Sequence, residues 1–102
     1  MWVNWDHDIL KTISSKIPQN IDWIIQVEGH TDNIPIATAN FPSNWELSVA
    51  RAIEVAKIMM QNGVQSNRIN VAGYGEFRPL VANDSLNNRE KNRRIELKLT
   101  QP

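Results

Sequence analysis

Ser43-Asn44-Trp45-Glu46-Leu47-Ser48-Val49-Ala50-Arg51-Ala52-Ile53-Glu54-Val55-Ala56-Lys57-Ile58-Met59-Met60-Gln61-Asn62-Gly63 reads as one complete helix with its start and stop signals. Ser43 and Glu46 have the spacing of a capping box, in which the hydroxyl accepts from the Glu46 amide and the Glu46 carboxylate reaches back. Ala52, Val55, Ala56 and Met59 recur at helical spacing and make a buried stripe, while Glu54, Lys57 and Gln61 fall on the wet side. Gly63 is placed as a left-handed C-terminal cap. The segment predicts a helix over Ser43 to Asn62.

On either side of this helix the period changes. Upstream, Ile21 to Gly29 predicts a strand: Trp23, Ile25 and Val27 alternate with Asp22, Gln26 and Glu28, although Ile24 breaks the alternation. Downstream, Arg68 to Gly73 predicts a second strand with Ile69 and Val71 facing inward. A strand–helix–strand unit implies a right-handed crossover and parallel pairing. Arg94 to Thr100 alternates cleanly, with Ile95, Leu97 and Leu99 set against Arg94, Glu96 and Lys98. It predicts a final strand, antiparallel after a short connection, with one wet face. A first helix is expected from about Asp6 to Ile17, with Ile9, Leu10, Ile13 and Ile17 as its apolar stripe, Asn4 or Asp6 as its cap, and Pro18 as its stop. Ser85 to Lys91 predicts a short helical turn. His30 to Pro42 is a long loop of the kind that is often functional.

The expected fold class is α/β (α+β): a two-layer sandwich with helices on one face of a small mixed sheet, in the order α-β-α-β-(short α)-β. The 102 residues are expected to form a single domain, with residues 1–20 as an N-terminal helix region and 21–100 as the motif-bearing core.

Eleven basic residues balance eleven acidic ones, which argues against a nucleic-acid binder. The absence of cysteine excludes disulfides, thiolate metal sites and cysteine nucleophiles. No run of about 18 apolar residues is present, so no membrane span is predicted. Met1 to Asp6 lacks the basic and apolar regions of a secretory signal, so work outside the cytoplasm predicts a targeting segment beyond these residues.

Several side chains invite a chemical reading. Asp32 follows a strand end, where α/β folds place their sites, although taken alone an Asx turn or a loop cap is the simpler account of it. His30 and Asp32 suggest a metal, but the only other histidine is His7 in the first helix, and no set of three or four ligands emerges. A buried, hydrogen-bonded His30 is expected instead. Arg51 lies beside the buried stripe of the long helix, and a desolvated guanidinium needs a carboxylate partner. A salt bridge to Asp32 and a bidentate hold on a ligand carboxylate both satisfy it. Arg89, Lys91, Arg93 and Arg94 form a basic cluster. By strand parity Arg93 should point to the helix-covered side and Arg94 to solvent. No nucleophile elbow, Gly-rich phosphate loop or acid/base carboxylate pair is evident, so no enzyme, cofactor or metal is expected.

Five blocks then combine: Val27 to Ile36 (Val-Glu-Gly-His-Thr-Asp-Asn-Ile-Pro-Ile), Phe41 to Ser48 (Phe-Pro-Ser-Asn-Trp-Glu-Leu-Ser), Arg51-Ala52, Gly73-Tyr74-Gly75-Glu76 with Pro79, and Asn92-Arg93-Arg94-Ile95-Glu96. From about Ile21 to Thr100 the chain resembles the OmpA C-terminal-like domain family, and within it the MotB branch. The resemblance implies a periplasmic domain that binds peptidoglycan without cutting it. It implies that Asp32, in its Thr31-Asp32 block, holds the ammonium of diaminopimelate and that Arg51 holds its carboxylate. Asn44 and an arginine of the last block, Arg93 by parity with Arg94 as the alternative, are implied to add contacts, and Thr31 is counted among the ligand-binding candidates. A zwitterion met by a carboxylate and a guanidinium fork is chemically apt.

The family opens with a strand before its first helix. Here only Trp2-Val3 precedes it, so that strand is expected to be missing, shortened or supplied by another chain. A homodimer and a stator-like, membrane-embedded partner reached through an N-terminal segment are the partners the resemblance implies, with the parent chain held in the inner membrane. A protein–protein interaction domain on the same fold is the alternative reading, and an enzyme acting on the wall is the third.

Overall fold

The computed structural model describes residues 2–3, 7–18 and 22–100, the first two by backbone alone. The elements run β1 (Trp2–Val3), α1 (His7–Lys16), β2 (Ile24–His30), α2 (Asn44–Gln61), a short 3-10 turn (Ser66–Arg68), β3 (Ile69–Gly73), α3 (Leu86–Asn92) and β4 (Arg94–Thr100). The sheet is mixed, in the order β1-β4-β2-β3. β2 and β3 pair in parallel across the α2 crossover, and β4 inserts antiparallel between β2 and β1. Among the described residues the opening strand comprises Trp2–Val3, at the sheet edge. The caps proposed at Asn4 and Asp6, and the strand start at Ile21, fall outside the described residues.

One face of the sheet meets the helices. Ile25 and Val27 from β2, and Ile95 and Leu97 from β4, meet Ala52, Val55, Ala56, Ile58 and Met59 of α2, with Leu10 of α1 and Val64 completing the core. All four residues of the expected α2 stripe are buried. The ends of the apolar alternations are wet instead: Ile9, Val71 and Leu99 are exposed. β3 is an edge strand, and Leu99 is 47% exposed although its register partner Ile25 is buried, so periodicity alone overstates burial at these positions.

The α2 start is the expected cap with one adjustment. Ser43 Oγ accepts from the Trp45 amide rather than that of Glu46, and donates to the Glu46 carboxylate. Gly63 has φ 99°, as the C-terminal cap requires. Gly29 and Gly73 are register partners on β2 and β3. A Cβ on Gly29 would overlap the Ser48 carbonyl oxygen, and one on Gly73 would overlap the Val49 side chain and backbone. These two glycines form the notch into which the first turns of α2 settle. None of the described helices is long and apolar enough to cross a membrane.

The face opposite the helices is not simply wet. Arg94, expected in solvent, is 8% exposed and held by Glu96, the Asn92 carbonyl and the Arg78 carbonyl. The segment after β3 folds over this face. Tyr74 stacks on His30, the Arg78 guanidinium lies 4.1 Å above the Tyr74 ring, and fully buried Asn92 clasps the segment through the Leu80 and Val81 amides and the Val81 carbonyl.

Candidate functional site

The turn that leaves β2 is built by short-range hydrogen bonds. Asp32 Oδ1 accepts the Ile34 amide at 3.0 Å, forming an Asx turn, and Thr31 Oγ1 donates to the Asp32 carbonyl at 2.9 Å. Thr31 and Asp32 are both buried although they lie in a loop. The adjoining loop supports them: the Thr31 amide donates to the Gly75 carbonyl at 2.9 Å, and the Tyr74 amide donates to the Gly29 carbonyl at 3.1 Å. The C-terminal ends of β2 and β3 are thereby stitched together.

α2 approaches this turn with its polar end. Asn44 Nδ2 donates to the carbonyls of Asp32 at 3.3 Å and Ile34 at 3.1 Å. One turn further on, buried Ser48 Oγ accepts the Gly75 amide at 3.0 Å. Arg51 follows at i+7 from Asn44, on the same side of the helix, and helical side chains lean back toward the N-terminus. Arg51 is half-buried and is not a free charge.

The remaining oxygen of Asp32 meets Arg93, with Nη1 at 2.5 Å from Oδ2. Asp32 is enclosed while the Arg93 side chain is 41% exposed. Arg93 caps α3 and points toward the Asp32 turn, whereas Arg94 enters the opposite face of the sheet. Of the residues singled out in the sequence, Thr31, Asp32, Asn44 and Arg93 therefore gather at one place, and the ionic partner displayed by Asp32 is Arg93. Arg89, also in the basic cluster, reaches Asn33 Oδ1 at 3.4 Å.

A second cluster escaped sequence reasoning. Glu28 and Glu96 are register partners on β2 and β4, and His30 follows Glu28 on the same face. The donor atoms of all three lie within 4.8 Å of one another. Burial, and next the Arg94 guanidinium, push the His30 imidazole below its ordinary value, against the pull of Glu96 and Glu28. Burial works to raise the Glu96 carboxyl, but the Arg94 hydrogen bond and charge, with His30 and Lys98, outweigh it and hold the group below the usual carboxylate range. His30 is buried as expected, yet neither ring nitrogen makes a hydrogen bond of acceptable geometry. Strand parity could have placed Glu28 and His30 together. Nothing in the sequence fixed the register that adds Glu96.

Beside α2, exposed Trp45, Val49 and Ile53 line a shallow groove of about 360 Å³, and Phe77 stacks on Trp45.

Comparison with known proteins agrees with this fold. Residues 5–93 match the OmpA family. Motility protein B of Helicobacter pylori is 41% identical over 85 residues, spanning 83% of this chain and 32% of that protein. Peptidoglycan-binding protein ArfA of Mycobacterium tuberculosis is 33% identical over 92 residues, 90% of this chain and 27% of that protein. The chain thus spans about a third or less of the length of these relatives. Among solved structures, the C-terminal domain of Helicobacter pylori MotB superposes with a TM-score of 0.85 at 35% identity, covering 98% of this chain and 77% of that one. On sequence match, identity and superposition together, this chain belongs to the OmpA family.

Proposed function

We propose that this chain is a non-catalytic, periplasmic peptidoglycan-binding domain that recognises the free, zwitterionic end of diaminopimelate and anchors a membrane-embedded partner to the cell wall. The observation that carries the reading is Asp32: an enclosed carboxylate, preset by an Asx turn, whose outward oxygen meets a half-exposed arginine. A ligand ammonium takes the place of the Arg93 guanidinium, so the buried carboxylate exchanges one cation for another and is never left unpaired. Arg93, once released, and Arg51, leaning back along α2, hold the ligand carboxylate with planar forks. Asn44 and Thr31 keep the turn in place through its carbonyls. The name of ArfA and the likeness to motility protein B support the same reading.

The test is a pull-down with purified sacculi that contain diaminopimelate, set beside sacculi whose stem peptides carry lysine instead. Retention on the first and not the second is expected. Equal retention on both would remove diaminopimelate from the reading, and no retention on either would remove the wall. A protein-docking domain is the second reading, favoured by the exposed Trp45, Val49, Ile53 and Phe77 surface. It predicts that Asp32→Asn leaves partner binding intact.

A further inference from the structure

We propose that Glu28, His30 and Glu96 form a site for a divalent transition metal, zinc above all, on the face of the sheet opposite the helices, beneath Tyr74. The sequence offers no such set, because Glu96 lies far from the other two and only the antiparallel register of β2 and β4 places it opposite Glu28. All three side chains rise from paired strands, so the backbone holds the donors in place.

The donor separations are compatible with a shared metal. His30 Nε2 lies 3.5 Å from Glu28 Oε1 and 3.2 Å from Glu96 Oε2. In a tetrahedral zinc site with metal–donor bonds of about 2.1 Å, neighbouring donors stand roughly 3.4 Å apart. His30 is 2% exposed, and neither of its ring nitrogens has a hydrogen-bond partner. Buried polar atoms are rarely left so, and an imidazole nitrogen aimed between two carboxylates is satisfied by a cation there.

The surroundings resemble a supporting shell. Arg94 binds Glu96 Oε2 through Nε at 2.9 Å and Nη2 at 2.7 Å, and Gln26 Nε2 binds Glu28 Oε2 at 2.6 Å. The Gln26 contact orients Glu28 through the oxygen turned away from His30, whereas Arg94 shares the Glu96 oxygen that faces His30 and competes with a cation there. Lys98 Nζ occupies Glu28 Oε1 at 3.1 Å, but its side chain is 51% exposed and free to swing out. One nitrogen and two carboxylate oxygens suit zinc, whereas calcium prefers six to eight oxygens. Two neighbouring cations, Arg94 and Lys98, make the affinity moderate. A bound metal would clamp β2 to β4 directly below the Thr31–Asp32 turn.

The experiment is equilibrium dialysis of the chain against zinc chloride in a non-chelating buffer, followed by metal analysis, with thermal melts in parallel. One zinc per chain and a melting temperature that climbs with zinc concentration are expected, with calcium chloride doing neither. Glu96→Gln should abolish retention and Lys98→Ala should tighten it, while His7→Ala leaves it unchanged. Lys98→Ala alters an exposed side chain, so it reports even if Glu96→Gln does not fold. The proposal is overturned by the absence of saturable uptake, by uptake that survives Glu96→Gln or disappears with His7→Ala, or by a Lys98→Ala variant that binds zinc no better than the parent.

Discussion

Asp32 and Arg93 stand 61 residues apart in the chain, yet Arg93 Nη1 lies 2.5 Å from Asp32 Oδ2. An enclosed acid is joined to a half-exposed base, so the two residues should respond differently to substitution. Asp32→Asn keeps the Asx acceptor but loses the charge. Each charge-assisted bond contributes roughly 1.5–3 kcal/mol, so sacculus binding should fall about ten- to a hundredfold at 1.4 kcal/mol per decade. Arg93→Ala should weaken binding less, because the lost ligand contact is offset by no longer having to open the ion pair. The pull-down, with circular dichroism melts alongside, checks both. An Asp32→Asn variant that binds like the parent places the site elsewhere.

Arg51→Leu should abolish sacculus retention while the domain stays folded, and Arg51→Lys should restore only part of it, because an ammonium cannot form the two-pronged bond. If Arg51 serves the fold alone, Arg51→Leu lowers the melting temperature and leaves the binding of the folded fraction unchanged. Titrations at two salt concentrations add a check. Binding should weaken with salt, though less than for fully exposed pairs.

Gly29→Ala tests the notch beneath α2. The added methyl meets the Ser48 carbonyl, which is backbone and cannot rotate away. Overpacking of this kind costs about 3 kcal/mol. Chemical denaturation should therefore show a large fall in midpoint, and sacculus affinity should fall with it, since Asn44 and Ser48 ride on the displaced turn. A midpoint within error of the parent means that the helix is not seated as described.

Acid should destabilise the chain in two stages. The His30 value lies below its ordinary 6.5 in the folded state. As pH falls below about 6.5 the unfolded chain takes up this proton first, so stability declines until pH passes beneath the folded value. Glu96 is depressed below 4.5, with Arg94 outweighing the effect of its burial. Its contribution is present above 4.5 and is lost as pH falls through the lower folded value. Urea melts from about pH 8 to about pH 2, with a metal chelator present, should show both declines. A His30→Gln variant should lack the first, and an identical pH profile in that variant would refute the assignment.

The sequence alone determined the local elements and the order in which they follow one another. Ser43 with Glu46, and Gly63, bound α2 because caps and left-handed turns depend only on near neighbours. The 94–100 strand was legible because alternation is set by the pleat itself. The motif blocks around Thr31–Asp32, Asn44, Arg51 and Arg93 pointed to the family and to the candidate ligand residues. What tertiary structure decided was everything that depends on register and cover. Parity put Arg94 in solvent, but the segment after β3 closes over that face and buries it against Glu96 and the Arg78 carbonyl. Spacing left the partner of Asp32 open, and the packing of α3 beside the turn supplied Arg93. The grouping of Glu28, His30 and Glu96 arises only when β4 pairs with β2, because a pairing register is a long-range choice that no local pattern in either strand encodes.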